Sequence, residues 1–251
     1  MRILSRTGRT FVEMTKYQYQ IEKTDQSKLL PQPELADALE PGMPVFDLPD
    51  PKNTSVPSTD LFAAINNRVS ERRYSDVPLS LEELSYLLWC TQGVRQVTSR
   101  PATLRTVPSA GSRHPFETYL LINKVEGLEP GLYRYHALEH KLVQLSLDAE
   151  LKAELTKICH NQGMVTNSAV TFIWAAEIYR MYWRYVERGY RYLYIDAGHV
   201  CQNLYLACEP MGTGCCAIGA FDDDALATFL GIDGEHRIPI YIATVGKKIA
   251  E

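Results

Sequence analysis

Two periods of apolar residues organise this chain. Phe116 to Ile122 and Ala169 to Glu177 are apolar without alternation and rich in β-branched or aromatic residues, as strands covered on both faces are. Gly131 to Leu145 carries two short apolar and aromatic runs around a polar turn, which predicts a β-hairpin. Gly214 to Phe221 and Arg237 to Gly246 predict two more strands.

Between them the spacing becomes helical. Ser58 or Thr59 is placed to cap a core helix through Leu61, Phe62, Ala64 and Ile65 to about Asn67. Ser80 and Glu83 form a capping box ahead of the stripe Leu84, Leu87 and Leu88, and Gly93 ends that helix. Helices are also expected from Asp148 to His160 and, capped by Asp222, to Leu230. From Tyr190 to Met211, Ile195, Val200, Leu204, Leu206 and Ala207 leave a narrow polar face of Asp196, His199, Gln202 and Asn203. Such a helix is expected to be interior, with His199 a buried polar residue satisfied by its neighbours. Hairpins mixed with helices, without βαβ alternation, indicate an α+β layer fold.

Half of the fourteen prolines precede residue 58, which marks residues 1–57 as an extended Pro-rich arm and 58–251 as the domain. Val45, Phe46 and Leu48 are apolar anchors that favour an arm lying against a domain or a second subunit. The 251 residues, 45% hydrophobic, suffice for a large core. A net charge of -4 leaves no footprint for nucleic acid or an anionic membrane, so a small molecule is the expected ligand. No apolar run of signal-peptide or membrane-spanning length occurs, and a cytoplasmic protein is expected. The six cysteines sit mostly in apolar patterns and read as reduced core thiols. Cys215 and Cys216, adjacent on a strand, point to opposite faces, and no metal site is expected.

Candidate chemistry centres on VPSAGSRHPF, Val107 to Phe116. Ser109 and His114 suggest a nucleophile and base, but the loop-then-strand order lacks the elbow that a serine hydrolase needs. The same order departs from dinucleotide and P-loop cradles, which place glycines between a strand and a following helix. A small-residue loop that lets something flat approach the backbone remains. In RVSERRY, Arg68, Ser70 and Arg72 alternate and would face one way in an extended segment, either as a phosphate grip or as a solvated turn. Lys247 and Lys248 end the last strand, and their interest depends on proximity to Arg68.

RVSERRYSDVPLSLEELSYLLW, PSAGSRHPFETYL, GLYRYHALEHKL, YVERGYRYLYIDAGHVCQNLYLACEPMGTG and CCAIGAF together resemble, in order, the nitroreductase family, and most closely its SagB-type branch. The resemblance runs from about Phe11 to Lys248 and includes the arm segment TFVEMTKY. It implies an α+β fold with a mixed sheet flanked by helices, and FMN held at a homodimer interface. It places the FMN phosphate on Arg68, Val69, Ser70 and Arg72 with Lys247 or Lys248, and the flavin ring on Pro108, Ser109, Ala110, Gly111 and Ser112. Ile218, Gly219 and Ala220 fall at the flavin's reactive edge. The implied activity passes hydride or electrons between NAD(P)H or another donor and a small organic acceptor. Two departures stand out. Many relatives carry Asn at Ser112, and the Lys-Tyr pair of azoline-oxidising members is Arg184-Tyr185 here. Arginine is a poor general base, although Tyr185 can hydrogen-bond a substrate. A peptide azoline dehydrogenase and a flavin-binding protein without turnover are the alternatives.

Overall fold

The apolar runs assemble into one seven-stranded sheet in the computed structural model, which describes residues 6–249. The first half comprises α1 Arg6–Met14, β1 Val45–Asp47, α2 Leu61–Asn67, α3 Leu81–Gln92, β2 Val94–Val97, β3 Thr103–Arg105, β4 Phe116–Ile122, β5 Gly131–His136 and β6 Lys141–Ser146. The second comprises α4 Leu151–Ile158, α5 Met164–Asn167, β7 Val170–Glu177, α6 Ile178–Tyr185, α7 Arg188–Cys208, β8 Thr213–Ile218, α8 Asp223–Leu230 and β9 Arg237–Lys247. The sheet order is β1-β6-β5-β4-β7-β9-β8, and β2 and β3 form a separate ribbon. Pairing between the named strands is antiparallel, and parallel bridges Ser70–Cys215 and Leu79–Val125 are added at the margins.

Interior strands carry the continuous apolar runs because both of their faces are covered. On one face Leu120, Phe172 and Trp174 pack with Leu84, Leu87 and Leu88 of α3 and Leu193, Val200 and Leu204 of α7. On the other, Tyr119, Leu121 and Ile173 meet Leu155 of α4 and Leu226 and Phe229 of α8. Cys215 joins the first layer and Cys216 the second, as strand alternation requires. The Ser80–Glu83 capping box forms, with both reciprocal hydrogen bonds present, and Asp222 caps α8.

Three expectations about the helices need correction. Asp60, not Ser58 or Thr59, caps α2, its carboxylate accepting from the Ala63 N–H at 3.0 Å. That helix is not a core helix: Ala64 is its one buried residue, and Leu61, Phe62 and Ile65 face outward at 64%, 77% and 55% exposure. Nor is α7 interior all round. Tyr194, Ile195, Gly198, His199 and Gln202 form an exposed strip, so His199 is solvent-facing rather than buried among partners. One cause underlies the second and third: a 3.6-residue period reports that a helix has an apolar face, not which neighbour covers it.

The arm is not extended throughout. Its first element among the described residues is α1, whose end is tied to α7 by Arg188 and Arg191, donating to the Thr15 carbonyl at 2.7 Å and the Val12 carbonyl at 2.7 Å. Residues 34–40 then run over a buried ionic cluster. Glu117 lies between Arg134 and Arg180 at 3.3 and 2.7 Å, and Asp37 between Arg180 and Arg237 at 3.0 and 2.6 Å. Glu40 adds a second carboxylate to Arg134 at 2.8 Å. Burial is tolerable for these charges because each faces an opposite charge. β1 then pairs with β6 as an edge strand, and Phe46 packs edge-on to Tyr133 with ring centroids 6.0 Å apart.

Candidate active site

Helix α7 organises two groups of candidate residues. At its C-terminal half, the Tyr205 hydroxyl accepts from the Ala217 N–H at 2.8 Å and shares a 3.0 Å hydrogen bond with the Ser70 hydroxyl. The Arg68 guanidinium lies over the Tyr205 ring, 5.3 Å from its centroid. Residues 70–75 are held along β8 and the end of β9 by Glu71 N–H to Cys215 O and Ser75 N–H to Lys247 O, each 2.9 Å. Arg68 and Ser70 therefore share one side, whereas Arg72 folds back on the Ser70 carbonyl at 3.3 Å. Arg72 also borders a cavity of about 360 Å³ with Gln162, Gly163, Met164 and Asn167. Gln162 donates to the Ala220 carbonyl at 3.1 Å, which ties this cavity to the segment ending β8. Gly219 and Ala220 are exposed there, and a Cβ at Gly219 would meet open space.

The lysines behave differently from the arginines. The Lys247 and Lys248 backbone adjoins this corner, with Lys248 bridged to Tyr74. Their ammonium groups, however, are taken: Lys247 by Glu83 and Lys248 by Glu209 at 3.2 Å. Arg68 and Arg72 have no ion pair among the described residues. Val69 is exposed and contributes no polar side chain.

The loop Pro108–Ser112 is set by the N-terminal half of α7. Buried Asp196 accepts from the Ala110 N–H at 3.3 Å, and the Ser109 hydroxyl accepts from the His114 N–H at 2.9 Å. Burial pushes the Asp196 carboxyl up, and its bonds with Ser109 and Ala110 oppose that shift. Gly111, Ser112 and His114 have φ of 58°, 54° and 44°, a tight left-handed course for which glycine is suited. Burial, with Arg105 nearby, holds His114 down to about 3, so it is neutral at ordinary pH and too weakly basic for an effective general base.

Arg184 and Tyr185 close over this loop from α6. A Cβ on Gly111 would run into the Tyr185 hydroxyl and lie 3.0 Å from Arg184 Cδ and Nε. Tyr185 packs edge-on to Tyr192 at 4.9 Å, and the Tyr192 hydroxyl meets that of Tyr17 from the arm at 2.8 Å.

The two groups do not meet around one side of α7. Asp196 and Tyr205 are nine residues apart, about 13.5 Å of rise and half a turn of rotation. They flank the exposed strip Tyr194, Ile195, Gly198, His199 and Gln202 on opposite edges. Asp196 and Tyr205 were not singled out as site residues by the sequence. The signal available for Asp196 was a carboxylate in an otherwise apolar helix, which burial obliges to find donors.

The sequence pattern described as the nitroreductase family matches residues 65–247, and the chain belongs to that family. Nitroreductase MJ1384 of Methanocaldococcus jannaschii is 36% identical over 182 residues, 72% of this chain and 88% of that protein. The trifolitoxin-processing protein TfxB of Rhizobium leguminosarum is 30% identical over 134 residues, 51% of this chain but 36% of that longer protein. The FMN reductase (NADPH) of Bacillus subtilis is 29% identical over 112 residues, 39% of this chain and 45% of that protein. A Ralstonia eutropha nitroreductase structure superposes with TM-score 0.69 and 27% identity, covering 88% of this chain and 96% of that one. The fold is that of a nitroreductase, the protein is an oxidoreductase, and FMN is its cofactor. Among the described residues no helix is long and apolar enough to cross a membrane.

Proposed function

We propose that this chain works as a homodimer that transfers hydride or electrons between NAD(P)H or another donor and a small organic acceptor. The carrying observation is that Arg68, beside Ser70 and Tyr205, has no carboxylate among the described residues. FMN fits that corner: a phosphate dianion supplies the counter-charge that Arg68 and Arg72 lack, and guanidinium forks match its oxygens. Lys247 and Lys248 contribute positive potential at one remove, since both are already paired.

The exposed strip of α7 supports the homodimer reading. A two-fold axis through its exposed strip would bring the partner's Pro108–Ser112 loop towards this chain's Arg68 corner, and the same contact would cover Leu61, Phe62 and Ile65. Pro108, Ser109, Ala110, Gly111 and Ser112 then offer a bed of small residues against which a flat ring lies close to the backbone. Asp196 keeps that bed in register. Of the three residues expected at the ring's reactive edge, Ile218 is buried in the core, while exposed Gly219 and Ala220 would offer an open strand end to the ring.

Bound FMN supplies the hydride and electron chemistry. The chain's own residues bind the phosphate, fix the loop and orient the acceptor, with the Tyr185 hydroxyl beside Gly111 as a hydrogen-bonding group. The resemblance to the SagB-type branch carries a second reading, oxidation of an azoline in a peptide, and the alignment with the trifolitoxin-processing protein supports a peptide substrate for it. Arg184 opposes it, because a guanidinium holds its proton where a general base must accept one.

Flavin titration of the purified protein tests the main reading. The wild type takes up FMN and shows the oxidised flavin's visible band, and Arg68→Ala weakens binding by about 1.5–3 kcal/mol, the scale of a hydrogen bond to a charged group. Unchanged affinity in the variant would assign Arg68 to a solvated turn.

A further inference from the structure

Four arginines are buried to nine-tenths or more among the described residues: Arg105, Arg113, Arg134 and Arg180. Three have their donors well used. Arg134 and Arg180 face Glu117, Glu40 and Asp37, and Arg105 donates to Gln92 at 2.9 Å, Thr103 at 3.2 Å and the Leu35 carbonyl at 3.3 Å. Arg113 differs. At 7% exposure it donates through Nε to the Gly111 carbonyl at 3.1 Å, and its guanidinium lies 5.4 Å from the Trp183 ring centroid. Its two terminal nitrogens have no partner among the described residues and keep contact with solvent, where a ligand can reach them.

Arg184 compounds the imbalance. Its Cδ and Nε approach the same glycine, 3.0 Å from where a Cβ would stand, and it has no ion pair or hydrogen bond among the described residues. Burial and then Arg184 push the Arg113 guanidinium down, Tyr185 opposes them, exposed Arg100 adds a weaker push, and no carboxylate takes part. Two cations side by side in a mostly buried setting repel, and an anion taken up between them and the solvent would offset that repulsion. The effect is local, because the chain as a whole is negative and repels anions.

We propose that Arg113 and Arg184 form an anion subsite beside the flavin-ring loop, which seats a carboxylate of the acceptor or a phosphate of the nicotinamide donor. Two arginine side chains meeting at Gly111, Arg113 through Nε on its carbonyl and Arg184 through Cδ and Nε, bring guanidinium groups that suit either oxygen group, and Tyr185 next to them adds a hydrogen-bonding hydroxyl. This subsite rests on the oxidoreductase reading for its role and gives Arg184 a binding task in place of proton abstraction.

Calorimetric titration of the FMN-saturated protein tests it with two matched pairs that differ in charge at one group. Benzoate against benzamide probes the carboxylate source, and NADP+ against NAD+ the phosphate source. The anionic member of at least one pair binds about tenfold or more tightly, the scale of a charge-assisted hydrogen bond. That preference falls towards unity in Arg184→Gln and in Arg113→Gln, is largely kept in Arg184→Lys, and weakens with added salt. The pair that discriminates identifies the source. Lack of discrimination by either pair in the wild type, or discrimination that survives Arg184→Gln, overturns the subsite. Protein that takes up no FMN yet keeps the preference would overturn the flavin reading alone, and flavin-loaded protein without a preference the subsite alone.

Discussion

Gly111→Ala tests whether the ring loop is positioned by what stands over it. At φ 58° an alanine enters the left-handed region, which costs an L residue about 1–2 kcal/mol. Its methyl also collides with the Tyr185 hydroxyl and crowds Arg184, and overpacking of this kind costs about 1–3 kcal/mol. Together the substitution should destabilise the fold by about 2–5 kcal/mol and weaken FMN binding. The two parts separate in a double-mutant cycle with Tyr185→Phe. That hydroxyl makes no hydrogen bond among the described residues, so its removal alone should cost little. In the double variant the collision is relieved while the backbone strain remains. Urea unfolding of the four proteins should give a coupling of about 1–2 kcal/mol in the stabilising direction. Strict additivity, or a Gly111→Ala cost below about 0.5 kcal/mol, would show that α6 does not seat against the loop as described.

Two further outcomes follow from the geometry. His114 is held down to about 3 by burial, against 6.5 when exposed, so the unfolded chain takes up its proton first as pH falls. Its stabilising contribution is complete above pH 6.5 and is lost progressively down to about 3, about 2 kcal/mol by pH 5. His114→Asn, which tolerates the positive φ, should remove that share of the acid loss between pH 7 and 5, and parallel urea-derived stability curves would contradict this. Ile195→Glu places an unpaired charge in the proposed contact. Sedimentation should show dimer association weakened, with Kd raised by at least about a hundredfold, and loss of FMN, and an unaltered dimer would move the interface elsewhere.

Local chemistry made much of the fold legible. Continuous apolar runs marked β4 and β7, the polar turn marked the β5–β6 hairpin, and Ser80 with Glu83 marked the start of α3. Each signal is carried by residues a few positions apart, which is the range over which periodicity and capping act. The spacing of Arg68, Ser70 and Arg72 likewise suggested a phosphate grip, and 68 and 70 do share Tyr205.

Tertiary contacts decided the rest. Whether α2 and the Ile195 strip of α7 are covered depends on what packs on them, and a helical period is the same for a buried face and an outward one. Lys247 is committed to Glu83, 164 positions away, and Arg134 to Glu40, 94 positions away; no local pattern encodes such partners. Nothing in the local sequence around Arg113 sets it apart from its polar neighbours. Burial with no facing carboxylate is what turned it into a candidate binding group, because the energy of a charge is set by what surrounds it in three dimensions.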